Sequence, residues 1–237
     1  VLKPILTMFG QLWHWCLPSP CQWCSLPVQR SDRQLCDACQ RALPVLPYPL
    51  CHYNLLWLPH IARGLAKPGF DYLLSLACYR QPYRHWLTRW KFQQDDAAGD
   101  VLLQLFANLL LQYQQARQQL PEAIVYVPMH PAKQRKRGFN PAQLLAEVAA
   151  KQLGLAVLPV LQRPAQQQAQ VGLNRKQRQR NLRRAFSIQA TASLPAHVAL
   201  VDDVVTTGAT ANTLCRLLRR HGVRQISLWT LAVTVVD

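Results

Sequence analysis

Acidic residues are scarce in this chain: 11 Asp and Glu stand against 27 Lys and Arg over 237 residues, a formal charge of +16. A basic surface of that size favours polyanions, so the expected partner is nucleic acid or a phosphate-rich ligand. Long apolar runs are missing too. None approaches the roughly eighteen residues of a membrane span, so no spanning helix is expected. The apolar start, Val1 to Trp15, is interrupted by Gln11 and His14 and no small-residue cleavage site follows it, so it does not read as a signal sequence and a cytoplasmic protein is expected. Cysteine is nearly absent beyond Cys51, with Cys78 and Cys215 on apolar patterns and His130 in a proline-bounded loop. These read as structural residues, and no serine or cysteine triad is apparent.

Two of the few acids are adjacent. An apolar run, Val198 to Val201, leads into Asp202 and Asp203, then a Thr/Gly loop, then a helical pattern from Ala211 to His221 that Gly222 can end. Such a loop turns backbone N–H groups and the positive end of a helix toward one point, with hydroxyls from Thr206, Thr207 and Thr210 around Gly208 and Ala209. That point suits a phosphate monoester. Two carboxylates cannot face the phosphate favourably, so their natural partners are sugar hydroxyls or a hard cation such as Mg²⁺. Phosphate, hydroxyls and metal together describe a ribose 5-phosphate.

The other cysteines crowd the front. Cys21-x2-Cys24 and Cys36-x2-Cys39 are two knuckles separated by eleven residues. Each turn brings two sulfurs to one side of a cation, and two turns complete a tetrahedral Zn²⁺ site. Disulfides compete as a reading but suit an oxidising compartment that nothing else suggests. About sixty residues hold little core of their own. A structural zinc would supply on the order of 10 kcal/mol. Cys16 and Cys51 have no assigned role. Prolines 44, 47, 49 and 59 mark the join, giving an N-terminal module over 1–60 and an α/β domain over 61–237.

Within that domain, strands are expected at Phe70 to Tyr79, Ala123 to Val127, Val157 to Leu161 and Ile226 to Val236, with a helix from Asp100 as cap to Ala116. Trp86 and Trp90, four apart, read as the packed face of an amphipathic helix. Lys133 to Asn140 reads as a basic loop at a strand's end, with Asn140 capping a helix that has Pro141 first and Gly154 beyond its end. From Arg163 to Arg184 lie seven Lys and Arg and no acid, a segment that could close over an anion.

The decapeptide from Val201 to Thr210 resembles the phosphoribosyl pyrophosphate (PRPP) signature of type I phosphoribosyltransferases. Together with the cysteine knuckles, Trp90-Lys91-Phe92, Arg137-Gly138-Phe139-Asn140 and the residues Gln170, Leu173, Gln177, Arg178, Asn181 and Leu182, it makes the chain similar to the ComF family. The resemblance implies a type I phosphoribosyltransferase-like domain, a mostly parallel sheet with flanking helices, behind a small zinc-binding module. It implies that Asp202 and Asp203 hold ribose hydroxyls and that Thr206, Thr207, Gly208, Ala209 and Thr210 hold the 5′-phosphate. Lys91, Arg135, Arg137, Gly138, Asn140, Arg175, Arg178, Arg180 and Asn181 are the candidates for pyrophosphate or nucleic acid. The family is associated with uptake and use of extracellular DNA, so single-stranded DNA, PRPP or another ribose phosphate, and a DNA-uptake helicase or channel are the expected partners. An active phosphoribosyltransferase is the other expectation; its catalysis would be electrostatic and need no nucleophilic side chain.

Overall fold

The computed structural model describes residues 18–30, 33–116, 119–164, 185–189 and 193–235. In chain order its helices and strands are α1 (Asp37–Ala42), α2 (Tyr48–Cys51), α3 (Pro59–Ala62), β1 (Tyr72–Cys78), α4 (Tyr83–Gln93), α5 (Asp96–Gln115), β2 (Ala123–Tyr126), α6 (Pro131–Arg137), α7 (Pro141–Leu153), β3 (Ala156–Val157), β4 (Leu161–Gln162), β5 (Ser187–Ile188), β6 (His197–Val201), β7 (Val204–Val205), α8 (Ala209–Arg220) and β8 (Gln225–Val233). They form two compact units: one takes the chain up to Val45 together with Arg80–Leu102, the other Leu46–Tyr79 together with the chain from Leu103.

The larger unit is built on an open sheet of order β1-β8-β6-β2-β3, with β7 also on β8. Every pairing in it is parallel. This is the mostly parallel α/β sheet with flanking helices expected from sequence. Parallel sheets are covered on both faces, so their central strands are apolar throughout rather than alternating. All five residues of β6 are buried, as are all of β8 after Gln225.

The strand expected at Val157 to Leu161 divides in two. Ala156 and Val157 pair with β2, and the Leu158 amide still reaches the Ile124 carbonyl. Pro159 then has no N–H to continue the ladder, and β4 pairs antiparallel with β5 instead. Asp100 lies inside α5 rather than at its start: the Asp95 side chain accepts from the Ala98 amide, one turn earlier. The basic stretch is the short helix α6 rather than a loop, started by His130, whose Nδ1 accepts from the Ala132 amide, and ended by Gly138 at φ 88°.

Topology fixes where a ligand can sit. From β2 the chain passes through α7 to β3 on one side, and from β6 through α8 to β8 on the other. Adjacent strands whose successors depart in opposite directions leave a crevice at their carboxyl ends, the usual ligand position in open α/β sheets. The segments leaving those two ends are Val127 to Asn140 and Asp202 to Thr210.

Candidate functional sites

In the smaller unit, a tight turn brings Cys21 and Cys24 together. The Cys21 amide bonds the Leu26 carbonyl at 2.8 Å, and the Ser25 amide bonds the Cys21 carbonyl at 2.9 Å. The second knuckle begins α1, where the Cys36 sulfur caps the helix by accepting from the Cys39 amide. The four sulfurs lie within 4.8 Å of one another, and Cys24 Sγ is 3.7 Å from Cys36 Sγ. Tetrahedral Zn–S bonds of 2.3 Å require sulfurs about 3.8 Å apart, so the cluster can hold such an ion. All four are free thiols. Burial opposes ionisation of Cys21, but amide hydrogen bonds from Cys24, Cys36 and Trp23 outweigh it and bring the thiol down to about 6. A thiolate is the form a metal takes.

Helix α4 supports this knuckle. Trp86, fully buried, donates from Nε1 to the Gln22 carbonyl at 2.9 Å, and its ring meets those of Trp23 and Tyr83 edge-on. Trp86 and Trp90 therefore pack inward, as their spacing predicts. Lys91 is half-buried on the same helix, in the smaller unit, whereas the other described basic candidates are in the larger one. Cys51 is buried in the larger unit, with its thiol facing the Tyr48 carbonyl. Cys16 lies outside the described residues.

In the larger unit, β6 and β7 are one strand line interrupted by the acid pair, because both keep the same register against β8. Asp202 and Asp203 are half-buried at that interruption. The Asp202 carboxylate accepts from the Asp203 amide at 2.8 Å, and the Asp203 carbonyl accepts from Leu231. Beyond β7, Thr206, Thr207 and Ala209 are exposed and Thr210 is half-buried. Gly208 stands at the helix start with φ 75°, a left-handed conformation that glycine adopts without strain. No side chain caps α8, so its first-turn N–H groups face outward for a ligand or water.

The loop is anchored from behind by residues with no recognisable motif. The Ala66 amide bonds the Thr207 carbonyl at 3.1 Å. Buried Asn212 accepts from the Gly69 amide and donates to the Ala66 and Lys67 carbonyls. Across the switch point, Asn140 caps α7 through the Ala142 amide and donates to the Val127 carbonyl at the end of β2, so its side chain is fully engaged in structure. Arg135 is exposed on α6, Arg137 is half-buried, and Gly138 is exposed. Arg175, Arg178, Arg180 and Asn181 lie outside the described residues.

Arg163 was not singled out from sequence. Its guanidinium carbon sits 5.2 Å from the Phe186 ring centre, and burial lowers its pKa while the negative charge of Asp202 opposes that shift. Only its place at the head of the acid-free basic run could have marked it.

The fold and sites define an α/β protein with a crevice at the sheet's switch point in one unit and a cluster of four thiols that could hold a metal ion in the other. No family model matches the chain. It is 33% identical to Competence protein F of Haemophilus influenzae over 90% of this chain and 96% of that one. It is 30% identical to the DNA utilization protein YhgH of Salmonella typhimurium over 92% and 99%, and 28% identical to Competence protein ComFC of Streptococcus pneumoniae over 66% of each chain. The chain belongs to the ComF family. A solved structure, that of the AQ2163 protein from Aquifex aeolicus, aligns over 70% of this chain and 89% of that chain with 13% identity and a TM-score of 0.37, too loosely to bear on fold or function. Among the described residues no helix is long and apolar enough to cross a membrane.

Proposed function

We propose that this chain serves the uptake and use of extracellular DNA, a reading supported by relatives named as competence and DNA utilization proteins, by handling single-stranded DNA or ribose phosphates in a PRPP-type pocket. The domain would be phosphoribosyltransferase-like and would work in the cytoplasm. The observation that carries this reading is the switch point itself: an acid pair, an uncapped helix start with threonine hydroxyls, and the basic helix α6 leave adjacent strand ends. Thr206 to Thr210 would take a phosphate, Asp202 and Asp203 the sugar hydroxyls, and Arg135 and Arg137 further phosphates. Mg²⁺ would accompany the phosphate ligand and offset the repulsion between it and the acids. Zinc would occupy the four thiols, whose spacing suits it, and would hold the cysteine segment folded. A helicase or channel of the uptake machinery is the expected protein partner.

A second reading, a phosphoribosyltransferase that turns over PRPP, draws on the acid pair. DNA lacks the 2′-hydroxyl from which Asp202 and Asp203 would accept, whereas PRPP has it. The pocket would then stabilise a developing oxocarbenium ion and the departing pyrophosphate electrostatically.

Fluorescence anisotropy of a labelled oligonucleotide over a salt series, with PRPP and Mg²⁺ as competitor, tests the first reading. Displacement by PRPP supports a shared pocket. Binding that ignores PRPP and disappears with modest salt reduces the charge to a non-specific surface. Pyrophosphate release with a panel of acceptors tests the second.

A further inference from the structure

Helix α8 carries a basic groove on its flank, beyond the loop at its start. A cavity of about 200 Å³ is lined by Phe186, Thr213, Arg216, Leu217 and Arg220. Arg216 and Arg220 are exposed, and among the described residues neither guanidinium has a carboxylate within salt-bridge distance. Arg216 donates one N–H to the Thr213 hydroxyl at 3.2 Å, and Thr213 in turn bonds the Ala209 carbonyl. Phe186 is nearly buried, with Arg163 over its ring.

Helix periodicity connects this groove to the loop. Ala209, Thr213, Arg216 and Arg220 are spaced by four, three and four residues, so they form one stripe along α8. Its first member belongs to the T-T-G-A-T loop. Arg216 lies seven residues on, about 10 Å along the axis, a span that a few nucleotides can bridge. Compensation of the helix dipole does not explain the pair. Arg219 and Arg220 both lie in the last turn, and Arg219 bonds the Gly69 and Arg224 carbonyls and pairs with Asp71 at 2.9 Å. Arg216 is more than a turn from the helix end, so the dipole does not account for Arg216 and Arg220 acting together.

We propose that the Arg216–Arg220 groove is a second phosphate subsite for the same strand of single-stranded DNA whose other phosphate occupies the loop at the start of α8. The inference rests on the pocket reading above. Two guanidinium forks without acid partners suit a phosphodiester. The volume decides between a free small molecule and part of a longer chain. Small-molecule pockets run from about 300 Å³ upward, so this groove takes one phosphate and its sugar, not a whole separate ligand. Phe186 supplies an apolar wall for the sugar.

The test is Arg216→Ala with Arg220→Ala, assayed with labelled oligothymidylate and, separately, with PRPP. The double variant is expected to bind the oligonucleotide about tenfold more weakly, with the slope of log affinity against log salt reduced by about 0.7, one single-strand phosphate contact. PRPP binding and thermal melting should match the wild type. A charge-matched control, Arg63→Ala with Lys151→Ala, both exposed and off the stripe, should leave the slope nearly unchanged. An unchanged slope in the Arg216/Arg220 variant, or an equal loss in the control, overturns the subsite. Tighter wild-type binding to duplex than to single-stranded DNA also overturns it. Failure of the pocket reading gives a different signature: oligonucleotide binding that depends on Arg216 and Arg220 but is not displaced by PRPP. A wild type that binds no oligonucleotide overturns both.

Discussion

The side-chain oxygen of Asn212 accepts a hydrogen bond from the Gly69 amide at 2.7 Å, across 143 residues of sequence. Its amide nitrogen donates to Ala66 and Lys67, and the Ala66 amide holds the Thr207 carbonyl, so one buried side chain ties the candidate phosphate loop to the segment before β1. Asn212→Ala leaves buried backbone groups unmatched and is expected to cost about 1–3 kcal/mol. Urea unfolding measures that loss, and calorimetry should show weaker PRPP binding in the same variant. Asn212→Asp keeps the acceptor for Gly69 but sets a carboxylate against two carbonyls, so it should be the worse of the two. Wild-type stability in both would remove Asn212 from this role.

Gly99 faces Trp90 within the smaller unit. A Cβ at position 99 would meet the indole Nε1 and lie 2.6 Å from Cδ1, and the ring is only 2% exposed, with little room to retreat. Helix propensity alone predicts that Gly99→Ala stabilises by about 1 kcal/mol. Overpacking works the other way by about 1–3 kcal/mol and is the larger effect. The variant should therefore melt lower than the wild type; a higher melting temperature would show that the indole moves freely.

Removing a thiol from the cysteine cluster tests the metal. Cys36 is both a candidate ligand and the cap of α1, so Cys36→Ser should lower the bound zinc measured in freshly purified protein. A strong chelator should do the same to the wild type and weaken the near-ultraviolet circular dichroism of Trp86 and Trp90, which pack in this unit. Structural zinc contributes on the order of 10 kcal/mol, more than a segment of this size otherwise has. Metal-free wild-type protein with an unchanged melting curve would exclude a structural role.

Local chemistry was legible in the sequence and long-range grouping was not. Cysteine spacing marked the four sulfurs that converge, and apolar runs marked β2, β6 and β8, because a strand buried on both faces shows itself residue by residue. Asn140, Pro141 and Gly154 marked both ends of α7. What escaped depends on residues far apart. Arg80–Leu102 groups with the cysteine segment through contacts such as Trp86 to Gln22, which leave no local pattern. Asn212 looks like any polar helix residue until Gly69 is placed beside it. Asp95 and Asp100 both precede helical patterns, and only the Ala98 amide decides which one caps.

His197 opens β6 in a buried position, with Nε2 2.9 Å from the Ser227 hydroxyl and Nδ1 without a hydrogen-bond partner among the described residues. Burial pushes its pKa below the ordinary histidine value, with the charges of Glu122 and Asp71 opposing the shift. The native state therefore holds fewer protons on this residue than the unfolded chain once the pH drops below about 6.5. Stability from the neutral ring is complete above that pH and declines as pH falls toward the depressed native value. The slope is at most about 1.4 kcal/mol per pH unit. Urea unfolding at pH 7.5, 6.5 and 5.5 (about one unit apart, bracketing the unfolded value) should show this decline in the wild type. His197→Gln, which keeps a polar group near Ser227 but cannot titrate, should start less stable and lose less over the same interval. Parallel slopes for the two proteins would assign the acid sensitivity to other groups, the cysteine cluster first among them, because protons compete with metal for thiolates.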